Sequence, residues 1–324
     1  MIILNKHQLR ARLDPGTTIG LMRTAMRQVS AGDSLQPLRW GMSMPAGGMM
    51  GMMPGYLAEP ECFGIKVVNM MPANRGSHYS SHSGCMLLFD AVHGQPLALL
   101  DAGELTASRT AAASALATDL LARATARILV IIGAGEQARA HIDALCTVRS
   151  FDEIRVCFRD PDQSQAFFAT VNPRHAARLR GFTDIAAAMA GADVACTVTS
   201  SASPVLKASM LQPGLHINLV GACTRDRQEI ETGALPGCRY LTDSSLSAWD
   251  QAGELATGVG SGVIDESYIA GEIGAVIDGD IEGRRNDEEI TIYRSLGVAA
   301  QDLVVAHHLY LQATQESFGT EVDF

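Results

Sequence analysis

Three basic residues stand in apolar or small-residue stretches, where a charged side chain is costly unless it has a partner. Arg39 precedes an apolar stretch in QPLRWGM, Lys66 lies inside FGIKVVN, and Arg109 lies within TASRTAAAS. One interpretation of each is a buried ion pair or a stem that reaches to the surface. The other is that two or three of these cations converge on a substrate carboxylate, which an arginine grips through two parallel hydrogen bonds.

A glycine-rich turn follows the apolar run RILVII and leads into QARAHIDALCTV, which has the pattern of a helix. The turn reads G-x-G-x-x-A, the dinucleotide fingerprint with its alternative ending. Gly133 permits a tight turn, Gly135 lets the backbone approach a pyrophosphate, and Ala138 lets the helix and strand pack closely. The start of the helix supplies N–H groups and a positive dipole end for the phosphates. We therefore predict that this turn binds a dinucleotide.

The end of the second predicted strand, EIRVCF, selects between NAD and NADP. An acidic side chain there hydrogen-bonds the ribose 2′-OH, whereas an arginine holds a 2′-phosphate. Arg159 follows Phe158 directly, and Asp160 comes next. The pattern favours NADP over NAD and leaves both open.

The stretch HINLVGACTRDRQEI predicts a buried strand at residues 217–220 that runs into Gly221, Ala222 and Cys223. Small residues at the end of a strand let another group approach the backbone closely. A thiol of ordinary pKa is mostly neutral at pH 7, so it cannot pair with an ammonium group as a carboxylate does. We interpret Cys223 as a small residue that fills space rather than as a nucleophile. The nearest acid, Asp226, would have to reach back to this position.

Two histidines, His78 and His82, lie in RGSHYSSHSGCMLLFD. No acidic residue or cysteine stands near them at metal-ligand spacing, so we predict no metal site. His82, just before a predicted strand, is a candidate donor in an active site, with a surface or structural role as the alternative.

Strands and helices alternate from about residue 115 onward. This pattern predicts an α/β domain of the doubly wound Rossmann type, with a parallel sheet between two layers of helices. The first hundred residues are richer in strands, and VHGQP joins two of them in a hairpin. The Met- and Gly-rich residues 41–57 predict an antiparallel strand pair with Met as filler, or a flexible apolar wall beside a substrate.

The segment DEEITIYRSLGVAAQDLVVAHHLYLQA predicts one long amphipathic helix whose acidic start suits the helix dipole. This helix is free to return to the first domain. The expected organisation is a strand-rich α+β domain of residues 1–114 and 298–324 and a Rossmann domain of residues 115–297.

Composition narrows the class of protein. The chain of 324 residues carries a net charge of −10 and no basic block, which argues against nucleic acid and weakly against an anionic membrane surface. No apolar run reaches the roughly 18 residues of a membrane span. Seven scattered cysteines without a CxxC pair argue against a disulfide framework and favour a reducing cytoplasm.

The assembled motifs resemble the ornithine cyclodeaminase/μ-crystallin family over nearly the whole chain. Those that carry the resemblance include QPLRWGMSMP, FGIKVVN, SHSGCMLLFD, LTASRTAAASALAT, IIGAGEQARAHI, HINLVGA and EITIYRSLGVAAQDL. The family includes ornithine and lysine cyclodeaminases, an alanine dehydrogenase, and reductases of ketimines and Δ1-pyrroline-2-carboxylate. The resemblance implies hydride exchange at a carbon that bears nitrogen and carboxylate, beside a nicotinamide, in a homodimer joined through the first domain.

The resemblance also implies roles for particular residues. Arg39, Lys66 and Arg109 match the substrate-carboxylate residues of the family. The residues that match its cofactor site are Gly133, Gly135, Glu136, Gln137, Ala138, Thr199, Ser200, Ser295, Leu296 and Gly297.

Cys223 separates the branches of the family. The matching position is an aspartate in the cyclodeaminases, where it holds the side-chain amine of the substrate, and a small uncharged residue in the μ-crystallin-like reductases. We therefore expect NAD(P)H-dependent reduction of an α-imino acid to the L-amino acid. Lys66, or a water held by His82, is the expected proton donor.

The substrate class stays open at this point. A cyclic ketimine suits the Met-rich wall, and an imino-diacid such as iminosuccinate suits three cations and His82. The alternatives are an ornithine-type cyclodeaminase, an alanine-type dehydrogenase, and a non-catalytic binder of NADP(H) and a small molecule.

Overall fold

A computed structural model describes residues 1–45, 47–74, 77–80 and 82–324, with the side chain of His82 outside the described part. The chain divides into two compact units. Unit 1 comprises Met1–Arg109 and Gly297–Phe324, and unit 2 comprises Thr110–Leu296. The sequence places these two boundaries at 114/115 and 297/298, and the functional roles of the units remain predictions.

The strands and helices alternate along much of the chain. The strands are β1 (Ile2–Leu4), β2 (Ser34–Leu35), β3 (Trp40–Ser43), β4 (Met49–Ala58), β5 (Glu61–Met70), β6 (His82–Asp90), β7 (Pro96–Asp101), β8 (Ile128–Ile132), β9 (Glu153–Cys157), β10 (Leu179–Phe182), β11 (Val194–Thr197), β12 (His216–Leu219), β13 (Cys238–Thr242), β14 (Ile269–Glu272), β15 (Ile290–Arg294) and β16 (Thr320–Glu321). The helices are α1 (Lys6–Arg12), α2 (Pro15–Ala31), α3 (Ala102–Leu121), α4 (Glu136–Val148), α5 (Gln163–Phe168), α6 (Ile185–Met189), α7 (Ser245–Gln251), α8 (Gly253–Gly260), α9 (Ile273–Asp278) and α10 (Ala299–Glu316).

Unit 1 is built on a mixed sheet in the order β16-β1-β7-β6-β5-β4-β2, with β3 paired to β4. The predicted hairpin is confirmed, since β6 and β7 pair antiparallel across residues 91–95. The Met-rich stretch forms the predicted antiparallel pair of β3 and β4. Helices α1 and α2 were not predicted, although Asn5 and Asp14 cap their first turns in the usual way.

Helix α10 packs on the sheet of unit 1 at a place where two glycines lie opposite each other. Gly55 of β4 and Gly64 of β5 are register partners. A Cβ on Gly55 would lie 2.6 Å from the Cβ of Ala299, and one on Gly64 would lie 3.0 Å from Leu303. Any side chain at these positions would push α10 away from the sheet, so the two glycines fix the depth at which the helix lies.

Unit 2 is built on a parallel sheet in the order β10-β9-β8-β11-β12-β15-β13-β14. This confirms the predicted Rossmann fold. The order reverses between β8 and β11, and a reversal of this kind opens a crevice at the carboxyl ends of the strands where ligands bind.

The prediction of one long helix over residues 287–313 is wrong. Ile290–Arg294 form β15, which lies between β12 and β13, and α10 begins only at Ala299. The residues ITIY are β-branched or aromatic, and the last three of them are buried in the sheet, which outweighs the helical spacing of their neighbours. The acidic residues 287–289 therefore precede a strand, and Asp302 is the acid in the first turn of α10.

In the part of the chain that the structure describes, no helix combines the length and the apolar character needed to cross a membrane.

Candidate active site

Three side chains of unit 1 form a buried cluster that we call the cation cluster: Lys66, Arg109 and Asp302. Lys66 projects from β5, Arg109 from α3 and Asp302 from the first turn of α10. The Lys66 Nζ lies 2.6 Å from Asp302 Oδ2, and the Arg109 Nε lies 3.1 Å from Asp302 Oδ1. One carboxylate therefore serves two cations. No pattern in the sequence marks Asp302, because an acid inside a predicted amphipathic helix is most simply a residue of its polar face.

The cation cluster keeps an excess of positive charge. The two cations face a single carboxylate, and the Arg39 guanidinium adds a further charge that acts on Lys66. Burial, and next the charge of Arg109, lower the pKa of Lys66 to about 7, although Asp302 opposes this shift. An additional carboxylate would relieve the repulsion between the cations, so the cluster suits an anionic ligand.

The Arg109 guanidinium is held in one orientation. Its Nη1 donates to Gln301 Oε1 at 2.6 Å, while its Nε faces Asp302. Gly297 covers the other side, with φ +81°, and a Cβ there would lie 2.7 Å from Arg109 Nη1. The Gly297 carbonyl also accepts a hydrogen bond from Arg39 Nη2 at 3.5 Å. Gly297 matches the cofactor site of the family in sequence, and the structure places it against these two arginines.

The glycine-rich loop of unit 2 has the geometry that a dinucleotide needs. Gly133 has φ +116°, and a Cβ there would lie 2.8 Å from the Val198 carbonyl oxygen. Gly135 begins α4 without a side-chain cap, and a Cβ at Gly135 would meet no atom within 4 Å. Ala138 is fully buried, as the close packing of helix and strand requires. An uncapped helix start with open space before it suits a pyrophosphate.

The residues that follow β9 are those that bear on the choice between NAD and NADP. Arg159 is exposed. Asp160 Oδ1 accepts the backbone N–H of Asp162 at 3.0 Å, so this acid is engaged in a local turn.

The strand ends of β11 and β12 are tied together by a residue that the sequence analysis missed, Glu229. This buried carboxylate accepts hydrogen bonds from Thr199 and from the backbone N–H of Gly221. A Cβ on Gly221 would lie 2.2 Å from the Thr199 carbonyl oxygen and 2.5 Å from Glu229 Oε1, so the groups that approach the backbone there are the Thr199 backbone and this carboxylate. Ser200 follows Thr199 and is exposed.

Cys223 is half-buried and packs against the hydrophobic core of unit 2. Asp226 is exposed, and a hydrogen bond from the Thr224 side chain lowers its pKa. Ser295 is buried, and its Oγ has no hydrogen-bond partner among the described residues. An orphan hydroxyl at the end of β15 is suited to receive a ligand atom.

His78 joins neither group of residues described above. His78 is exposed and contacts Tyr79, with 3.9 Å between the ring centroids and an angle of 39° between the ring planes. The side chain of His82 lies outside the described residues, so its candidate role stays a prediction. Within the described ranges there is no group of three or more His, Cys, Asp or Glu that could hold a metal ion.

The reversed strand order and the glycine-rich loop after β8 give unit 2 a fold of the Rossmann class. The chain belongs to the ornithine cyclodeaminase/mu-crystallin family, whose sequence model matches residues 3–317.

Two curated proteins are similar to this chain in sequence. A Δ1-pyrroline-2-carboxylate reductase of Bacillus thuringiensis subsp. konkukian (strain 97-27) is 31% identical over 328 residues, which cover all of both chains. The ketimine reductase mu-crystallin of Mus musculus is 33% identical over 280 residues, which cover 86% of this chain and 85% of the relative.

Three solved structures share the fold. The Δ1-pyrroline-2-carboxylate reductase of Thermococcus litoralis in complex with NADH and L-proline has a TM-score of 0.95 at 31% identity, covering 99% of this chain and 100% of that one. An archaeal alanine dehydrogenase dimer with bound NAD has a TM-score of 0.92 at 29% identity, covering 100% and 99%. The iminosuccinate reductase of Paracoccus denitrificans in complex with NAD+ has a TM-score of 0.91 at 26% identity, covering 100% and 99%.

Gly297→Ala tests whether Gly297 seats Arg109. Gly32 is the matched control, since its φ is +79° in the same unit and a Cβ there would meet nothing within 4 Å. Both substitutions carry the left-handed backbone cost of about 1–2 kcal/mol. Only Gly297→Ala must also displace Arg109, which adds about 1–3 kcal/mol. Urea unfolding measures the difference, and equal losses in the two variants would show that Gly297 does not constrain the arginine.

Proposed function

We propose that this protein reduces a cyclic α-imino acid, such as Δ1-pyrroline-2-carboxylate, to the L-amino acid with NAD(P)H. The observation that carries the proposal is the cation cluster, in which two buried cations share one carboxylate. The dinucleotide loop supplies the second requirement. Reductases of this substrate among the relatives, one of them with NADH and L-proline, support the choice.

Arg109 and Lys66 bind the substrate carboxylate in this proposal, with Arg39 as a further cation. Arg109 uses Nε and Nη1 for Asp302 and Gln301, and this orientation keeps the third nitrogen, Nη2, for the ligand. Fixing the carboxylate fixes the position of the imine carbon, and orientation of this kind lowers a barrier by several kcal/mol.

The cofactor is held by unit 2 in this proposal. Gly133, Gly135 and the start of α4 bind the pyrophosphate, and Thr199, Ser200 and Ser295 border the nicotinamide half. When bound, the reduced nicotinamide supplies the hydride that the imine carbon accepts.

Lys66 is the proposed proton donor to the imine nitrogen. A donor works best when its pKa lies near the working pH, and the pKa of Lys66 is about 7. Asp302, at 2.6 Å from Nζ, keeps the ammonium in place and balances part of its charge.

The substrate side chain is the finer part of the proposal. Met53 lies opposite Lys66 in the register of β4 and β5, and this apolar neighbour suits a cyclic imine. A second substrate carboxylate would suit Arg39, which makes iminosuccinate the second candidate. The cyclodeaminase alternative is disfavoured because a cysteine, Cys223, stands where a carboxylate would hold an ammonium, and Asp226 is exposed.

A homodimer that works in the cytoplasm is also proposed. Trp40 and Met42 on the edge strand β3 are exposed, and apolar side chains on an edge strand suit an interface. An archaeal alanine dehydrogenase of the same fold is a dimer. All seven cysteines are free thiols, which suits a reducing compartment.

A substrate panel tests the reaction. Wild-type protein is assayed with NADH and NADPH against Δ1-pyrroline-2-carboxylate, Δ1-piperideine-2-carboxylate, iminosuccinate, pyruvate plus ammonia, and ornithine. We expect the two cyclic imines to have the highest kcat/KM.

Arg109→Lys keeps the charge but loses the guanidinium fork, so it should lower kcat/KM about 10- to 100-fold with unchanged cofactor binding.

The control for Arg109→Lys is Arg10→Lys, because Arg10 forms an exposed ion pair with Glu104 on the surface of the same unit. It should retain the wild-type rate. Cofactor binding without turnover of any imine would instead support the non-catalytic binder.

The pH dependence tests Lys66 as the proton donor. Only the ammonium form can donate, so kcat/KM for imine reduction should be constant well below pH 7 and fall about tenfold per unit well above it. The residual rate of Lys66→Met should lack this alkaline limb. A limb of the same pKa in Lys66→Met would assign it to another group.

Arg159→Asp tests the cofactor preference. If Arg159 holds a 2′-phosphate, the substitution should raise KM for NADPH about tenfold or more and change KM for NADH little. Lys207→Asp, an equal charge reversal at another exposed site of unit 2, should leave both values unchanged. Equal effects of the two variants on NADPH would mean that Arg159 acts only through the overall charge.

A further inference from the structure

The carboxylate of Glu229 is the acceptor of an unusual set of hydrogen bonds. Its side chain is almost completely buried, at 2% exposure. Oε1 accepts the N–H and the Oγ1–H of Thr199 at 2.9 and 2.7 Å. Oε2 accepts Thr197 Oγ1–H at 2.7 Å and the N–H groups of Gly221 and Ala222 at 2.6 and 3.2 Å. All these donors lie at the carboxyl ends of two neighbouring strands, β11 and β12.

The residues that Glu229 holds lie beside the dinucleotide loop. Val198, between the two threonines, donates its N–H to Ile132 O at 2.9 Å, at the end of β8. Its carbonyl oxygen is the atom that a Cβ on Gly133 would strike. Glu229 therefore acts on the strand end that forms one wall of the crevice between β8 and β11, without reaching the crevice itself.

The segment after β12 is held from its opposite side as well. Arg294 donates from Nη1 to Leu219 O at 3.0 Å and from Nη2 to Ala222 O. Its Nε lies 2.9 Å from Glu254 Oε1, so this buried guanidinium has its own counter-ion. The N–H groups of the segment bind Glu229 and its carbonyls bind Arg294, which leaves the backbone before Cys223 little freedom to move.

We propose that Glu229 is a positioning residue for the nicotinamide dinucleotide. It fixes the backbone and hydroxyl of Thr199 and the turn at Gly221 and Ala222, and thereby sets the shape of the surface on which the cofactor lies. The inference rests on the proposed function only in that the ligand of this crevice is a nicotinamide dinucleotide.

The chemistry of the site requires a carboxylate. Every hydrogen bond at Glu229 is accepted and none is donated, and an ionised carboxylate is an acceptor on both oxygens. A glutamine of the same shape would turn its NH2 group against either the Thr199 donors or the Thr197, Gly221 and Ala222 donors. At least two donors would then lose their acceptor, and the strand ends would have to move apart.

Glu229→Gln is the test. The dissociation constants of NADH and NADPH are measured by fluorescence titration, with no imine present, and the free energy of unfolding is measured on the same samples. We expect the Kd of the tighter cofactor to rise about tenfold or more, since buried donors left without an acceptor are costly. The kinetic signature should be a raised KM for the cofactor with a smaller change in kcat.

Asp193→Asn is the matched control. Asp193 also ties two strands through backbone N–H groups, since its Oδ2 accepts from Arg127 and Ile128 at 2.7 and 2.9 Å. It stands at the opposite edge of the same sheet, before β11. Asp193→Asn should lower stability and leave the cofactor Kd unchanged. An unchanged Kd in Glu229→Gln, or an equal rise in both variants, overturns the proposal.

Thr197→Val serves where Glu229→Gln fails to fold. This substitution removes only one hydrogen bond to Glu229, and Thr197 is not among the proposed cofactor contacts. We expect a Kd about two- to fivefold weaker, and a wild-type Kd overturns the proposal. A wild-type protein that binds cofactor but reduces no imine refutes the proposed function alone, whereas one that binds neither cofactor refutes both.

Discussion

The buried carboxylate of Asp302, shared by Lys66 and Arg109, is the interaction on which the proposed chemistry depends. Without it two cations would stand buried without a counter-ion, which folding does not tolerate. With it both cations have an ion-pair partner, but the cluster keeps a positive charge because one carboxylate faces two cations. The remaining charge is what a substrate carboxylate would balance. The depth of α10, set by Gly55 and Gly64, decides that Asp302 reaches both partners.

Unit 2 follows a similar principle at the carboxyl edge of its sheet. Charged side chains are buried there, and they form hydrogen bonds with backbone groups instead of with water. Glu229 binds donors of β11 and β12, and Arg294, paired with Glu254, binds carbonyls of the segment after β12. Tyr240 donates to the same Glu254, and burial raises its pKa well above the ordinary value. These contacts make the strand ends rigid, and a rigid edge suits a site that must orient a flexible cofactor.

Local patterns explain why much of the fold could be predicted. The G-x-G-x-x-A turn, the continuous apolar strands and the hairpin at VHGQP depend on residues close in sequence, so their conformations follow from short-range sterics and periodicity. The failure at residues 287–313 has the opposite origin. ITIY stands among residues with helical spacing, and its β-branched and aromatic side chains, buried between β12 and β13, select the strand. Arg39, Lys66 and Arg109 could be predicted as paired or ligand-binding cations because each carries a charge within an apolar or small-residue stretch.

The sequence by itself therefore determined the class of fold, the dinucleotide loop and the cations of the proposed substrate site. Each of these depends on residues close in the chain, either as a periodic pattern or as a charge within an apolar stretch. Only the tertiary structure decided which residue forms ion pairs with those cations and which residue holds the strand ends by hydrogen bonds. Asp302 lies 193 residues from Arg109, and Glu229 lies 32 residues from Thr197. Their partners come together through packing and sheet order, which no local pattern encodes. Gly297 shows the same limit, because its match to a cofactor turn is local and its contact with Arg109 is not.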